Sequence, residues 1–314
     1  AISFYTFQQI AYLVDCYRGD AQKSSLIDYC LFITFFPQLI AGPILRQREM
    51  LPQLNQSLRQ MIDYRNLTLG LVVFSFGLVK CVVFAGTFGL WADAGFKPGA
   101  SYTFAEAWIS SLSYTFQIYF DFSGYTDMAI GSAYFFNIRL PFNFDSPYKA
   151  INIQDFWRRW HITLSRFLRD YIYIPLGGNR KSEIVTCGNI LITFLIGGLW
   201  HGAGWTFILW GAMHGLAYVI YRMWQKWGVK LPKLIAGFIT FNFINISWVF
   251  FRSESIQDAV NMLKAMIGFA AFRGGILFEN ISGKQQDFGW LILGVSLVVI
   301  FLSLIHISEP TRPY

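Results

Sequence analysis

Three histidines, His161, His201 and His214, fall within one stretch running from Asp155 to His214, while the fourth, His306, stands apart near the C-terminal end. Imidazole is the side chain whose proton affinity best suits transfer near neutral pH, so this stretch is where chemistry is expected. His201 closes an apolar run after Gly197, Gly198, Leu199 and Trp200, and Gly202 and Gly204 follow it. Small residues on both sides permit close backbone approach and leave room around a ring. A histidine buried there, with no acid beside it in sequence, is disfavoured in its charged form. It stays neutral, as a general base must. A helix-packing histidine bonded to a neighbour is the competing reading. His214 lies well inside the next apolar run, near mid-membrane depth, where an inter-helix hydrogen bond is the favoured role.

His161 ends the segment DFWRRWH. Treated as one helix from Asp155 to Asp170 at about 100° per residue, the segment gathers Arg158, Arg159, Arg166 and Arg169 into one arc of about 100°. Trp157, Trp160, Phe156, Leu164, Phe167 and Leu168 cover the opposite face, and His161 sits at the border. Such a helix suits a membrane surface or the mouth of a polar funnel. Guanidinium groups match phosphates bidentately, so the four arginines are candidate contacts for the phosphates of a coenzyme. Binding to lipid headgroups or pairing with aspartates is equally compatible.

The elements that must carry these residues are set by composition. The 314 residues are 54% hydrophobic and 14% charged, far below the roughly 25% charge of soluble domains. Aromatics make up 19%, as expected where rings sit at membrane interfaces. Long continuous apolar runs exclude a β-barrel, which would show segments of about ten residues alternating in polarity. The class is all-α, a polytopic helical membrane protein. Four scattered cysteines show no metal spacing, and no metal site is expected. The net charge of +7 fits cytoplasmic loops rather than nucleic acid.

Along the chain, an amphipathic or membrane helix opens the sequence, and a second apolar run covers Ile27 to Leu45 with Pro37 inside it. Leu67 to Ala92 is a span with Lys80 near its middle, where a structural pairing is favoured over a functional role. Residues 103–137 form a long segment with Asp121 and Asp127 in apolar surroundings and a break expected at Gly124. These carboxylates are functional candidates by position, with a structural role favoured. Further spans are expected at Ile184–Trp200, Trp205–Arg222 and Leu234–Phe251, and an interfacial amphipathic helix at Ile256–Phe269. A last apolar run starts at Phe288. Counting 103–137 as one crossing puts the basic links 46–65, 138–183 and 222–233 on one side of the membrane, as the positive-inside rule requires. The start has neither an initiator Met nor a signal-peptide pattern and reads as truncated. Leu302 to Arg312, LSLIHISEPTR, resembles a translated transposase sequencing adapter. Residues 302–314 are therefore expected to be a non-native tail, and residues 1–301 one partial membrane domain; His306 is set aside.

The stretches DFWRRWHITLSRFLRDYIYIPLGGNR and GGLWHGAGWTFILWGAMHG, together with QLIAGPILR, DFSGYTDMAIG and NFDSPYKA, resemble the membrane-bound O-acyltransferases, and within them the bacterial alginate O-acetyltransferase branch. The resemblance implies a helical ring around a funnel that crosses the membrane, with further spans beyond both ends of the chain. It implies His201 as the catalytic residue and His161 as the second signature position. It also implies transfer of acetyl from acetyl-CoA toward an extracytoplasmic polysaccharide such as alginate, at the bacterial inner membrane, with partner acetyltransferase proteins outside. Membrane lipid is an expected partner and nucleic acid is not. D-alanyl or peptidoglycan O-acyl transfer is the alternative within the class. A polytopic transporter would also use intramembrane charges, but it predicts internal repeats, and none is visible. No GxSxG, P-loop or HExxH motif is present.

Overall fold

The computed structural model describes residues 2–21, 24–39, 42–54 and 61–268, and all regular structure among them is helical. The helices are α1 (Ile2–Arg18), α2 (Leu26–Thr34), α3 (Gln47–Leu54), α4 (Tyr64–Val79), α5 (Gly86–Gly95), α6 (Phe104–Tyr134), α7 (Ile153–Arg159), α8 (Ile162–Leu168), α9 (Glu183–His201), α10 (Trp205–Lys226), α11 (Lys233–Arg252) and α12 (Ile256–Met266). The expected run at Phe288 and the expected tail 302–314 lie outside the described residues.

Among the described residues, three helical stretches are long and apolar enough to cross a membrane: Tyr64–Gly95, Glu183–His201 and Lys233–Arg252. The first joins α4 to α5 through a π-helical turn at Lys80–Ala85. Large apolar side chains such as Val82, Leu71, Ile184, Leu199 and Phe238 stand exposed on these stretches, which water would penalise and lipid would not. The protein is accordingly an integral membrane protein of helical class.

α6 differs from the expectation of a break at Gly124. It runs unbroken from Phe104 to Tyr134, started by a Thr103–Glu106 capping box. Gly124 serves contact instead. A Cβ on Gly124 would stand 2.7 Å from the Gly77 carbonyl oxygen, and one on Gly131 2.7 Å from that of Gly70. Glycine pairs thus let α4 and α6 pack backbone to backbone. The same contact brings Lys80 Nζ to 2.5 Å from Asp127 Oδ2, the structural pairing that apolar surroundings demand. The run Ile27 to Leu45 also divides. α2 stops at Thr34, and Pro37 sits inside a 3₁₀ turn at Phe36–Gln38, because a proline and the residue before it resist α geometry.

The core lies where α6, α10 and α11 meet the inserted segment α7. Phe116, Phe120, Phe156, Trp210 and Trp248 are almost completely buried there. α12 is amphipathic as expected; Ala259, Met262, Ala265 and Met266 are buried, and Trp108 Nε1 donates to the Met266 carbonyl at 2.9 Å.

Candidate active site

The segment carrying His161 is not one helix. α7 ends at Arg159, Trp160 is extended, and His161 takes a left-handed conformation (φ 43°, ψ 56°) before α8 begins at Ile162. Such a backbone costs a non-glycine residue of order 1–3 kcal/mol, and the surroundings over-determine it. The first N–H groups of a helix need acceptors, and α8 finds them on Asn143. Ile162 N–H donates to the Asn143 carbonyl at 3.0 Å, and Thr163 N–H to Asn143 Oδ1 at 3.1 Å. Asn143 therefore caps α8 from twenty residues away. The expected 100° arginine arc rested on a continuous helix, and the turn at Trp160–His161 divides it.

The segment is also not laid on a surface. Trp157 Nε1 donates to His214 Nδ1 at 3.1 Å, Gln154 Nε2 to the Tyr218 hydroxyl at 3.0 Å, and Trp160 lies 5.1 Å from Trp248 between ring centroids. Phe167 stacks on Phe7 of α1 at 4.1 Å. α7 and α8 are wedged between the N-terminal helices and the spans, which places His161 in the interior at 1% exposure.

This insertion brings His161 and His201 together. A straight helix would keep them roughly 25 Å apart. Instead the Trp200 ring lies 6.4 Å from that of His161 and 4.7 Å from that of His201. His201 is partly exposed and meets the edges of Trp210 at 5.2 Å and Phe251 at 4.9 Å. Its helix is set tightly against α10. A Cβ on Gly198 would stand 2.4 Å from the Phe207 carbonyl oxygen, and one on Gly211 2.5 Å from that of Phe194. The glycines before His201 thus do what their spacing predicts.

His214 is fully committed to packing, as expected. Its Nδ1 accepts from Trp157, and its Nε2 lies 3.0 Å from Ser247 Oγ, whose own hydrogen goes to the Ile244 carbonyl at 2.7 Å. The ring is completely buried.

The four arginines separate by partner. Arg166 is held by both oxygens of Glu49 at 2.6 and 2.9 Å. Arg159 pairs with Asp155 at 2.8 Å and approaches Asp145 at 3.8 Å. Arg169 binds Asp170 at 2.7 Å, and Asp170 is shared with Arg46. Burial pushes the Asp170 carboxyl up, but Arg169 and Arg46 outweigh it and hold the group below its ordinary value. Arg158 is exposed, without an ion pair among the described residues. The sequence gives no sign of the roles of Asn143 and Ser247, or of the bond from Trp157 to His214, because nothing near an asparagine in a loop announces the distant helix it caps.

Histidines lined by aromatic rings inside a bundle of apolar helices define the class: a helical integral membrane protein. The chain belongs to the membrane-bound O-acyltransferase family, whose sequence pattern matches residues 2–253. It is 50% identical to a peptidoglycan O-acetyltransferase of Helicobacter pylori, over 92% of this chain and 59% of that protein. It is 42% identical to a probable alginate O-acetylase, AlgI, of Pseudomonas aeruginosa, over 96% and 57%. A teichoic acid D-alanyltransferase of Bacillus subtilis is 27% identical, over 81% and 68%. The chain thus spans less than two thirds of the length of the first two relatives.

Proposed function

We propose that this chain forms the acyl-transfer core of a multi-pass inner-membrane enzyme, which moves an acetyl group from cytoplasmic acetyl-CoA toward a hydroxyl of an extracytoplasmic polysaccharide such as alginate. The observation that carries the reading is the meeting of His161 and His201 around Trp200. His201, partly exposed at the end of α9, is the catalytic residue. As the hydroxyl oxygen bonds to the acyl carbon and the carbon–sulfur bond breaks, His201 takes the hydroxyl proton and returns it to the departing thiolate. His161 stands beside it as the second histidine of the centre. Arg158, with Arg159, Arg166 and Arg169, faces the donor's phosphates, and the paired state of the last three leaves Arg158 the most available cation. Partner acetyltransferase proteins outside the membrane complete delivery to the glycan.

In the full-length protein, His201→Ala is expected to lower acetyl transfer by about 10²–10⁴-fold, the usual worth of a general base, with membrane insertion intact. Undiminished O-acetyl content of the surface glycan would overturn the assignment. Peptidoglycan is a second acceptor, favoured by the 50% identity over most of the chain. Ester analysis of purified peptidoglycan and of exported polysaccharide from a deletion strain separates the two, and a loss of D-alanyl esters would point to the teichoic acid relatives instead.

A further inference from the structure

We infer that Asn143 is a positioning residue that fixes the tautomer of His161, so that His161 meets substrate as a hydrogen-bond acceptor through Nε2. Thr163 N–H can only donate, and it lies 3.1 Å from Asn143 Oδ1. Thr163 Oγ1 receives the Ile44 N–H at 3.0 Å and so gives its own hydrogen onward, to the same Oδ1 at 2.8 Å. A reversed amide would set its NH₂ against that backbone N–H, so the atom facing α8 is the carbonyl oxygen.

His161 Nδ1 lies 3.2 Å from this oxygen. The oxygen has no hydrogen to offer, so Nδ1 carries the proton. A neutral imidazole has only one, and Nε2 is left with its lone pair. Nε2 is buried and has no hydrogen-bond partner among the described residues. Phe4, Phe122 and Trp200 line the ring without charge, and the titratable His201 packs against the same Trp200. Buried acceptors are ordinarily paired, and a pair for this one must bring an O–H or N–H. The reactants supply both kinds: the acceptor's hydroxyl, or an amide N–H of the acyl donor's arm.

The link to turnover rests on the acyl-transfer reading; the tautomer does not. The test uses the full-length protein. Nitrogen-15 NMR of labelled histidine is expected to show His161 protonated at Nδ1 alone, and Asn143→Leu to shift the proton toward Nε2. Protonation at Nε2 in the unaltered protein overturns the inference. Asn143→Leu should lower kcat/KM at least tenfold. A rise in KM for the acyl donor assigns the bound group to its amide, and one for the acceptor assigns it to the hydroxyl. Asn143→Asp keeps every acceptor contact, since Asn143 Nδ2 has no partner to lose among the described residues. It should retain most turnover while moving the acid limb of the pH profile upward, because a carboxylate favours the imidazolium. An unmoved limb would mean that Asn143 only caps α8 and would overturn the inference. If Asn143→Leu shifts the tautomer and leaves kcat/KM unchanged, the inference fails and acyl transfer stands. If His201→Ala retains turnover, acyl transfer fails and the NMR result stands.

Discussion

Around His214 both ring nitrogens are in use, with Trp157 donating to Nδ1 and Ser247 accepting from Nε2. Around His161, Nδ1 is engaged by Asn143 and Nε2 has no hydrogen-bond partner among the described residues. The two rings are equally buried, at 0% and 1% exposure, so depth does not separate them. What differs is the hydrogen-bond count. A closed ring is part of the scaffold and an open one has something left to bind, which is how buried polar groups generally divide.

That contrast can be broken by substitution. The largest expected effect is at the open ring, where His161→Leu, which keeps the buried volume and leaves Asn143 Oδ1 its two Thr163 donors, should reduce acetyl transfer by about 10²-fold or more and change the thermal unfolding of the detergent-solubilised full-length protein little. The closed ring should behave in the opposite sense. His214→Leu strands the buried Trp157 N–H, while the Ser247 hydroxyl keeps its bond to the Ile244 carbonyl, and should cost about 1–3 kcal/mol for the donor left unpaired, read as a lower unfolding temperature, with the folded fraction still turning over. Equal losses of activity in the two variants would erase the distinction. The smallest effect is expected among the arginines. Arg158→Ala should raise KM for the acyl donor a few-fold and leave unfolding unchanged, whereas Arg166→Ala should loosen the clasp with Glu49 and show mainly in stability. A donor KM that responds only to Arg166 would reverse their order.

Much of the fold was legible beforehand. The bounds of α9, α10 and α11 follow the expected apolar runs within a few residues, and Lys80 paired as its apolar surroundings required. The break expected at Gly124 did not occur, since a glycine inside a packed membrane helix can serve contact as readily as bending. The segment from Asp155 to Asp170 has helical periodicity throughout, and periodicity carries no sign that Asn143 caps a second helix starting at Ile162.

The sequence by itself determined the helical membrane class, the positions of the apolar runs and the residues able to do acid–base chemistry, because hydropathy and side-chain chemistry are local properties. It also carried the family resemblance. Only the tertiary structure decided which histidines flank Trp200, which ring has both nitrogens engaged, and which of the four candidate arginines has no carboxylate partner among the described residues. Those outcomes depend on where α7 and α8 insert among the spans. That insertion is fixed by hydrogen bonds and ring contacts between residues far apart in the chain, which no local pattern encodes.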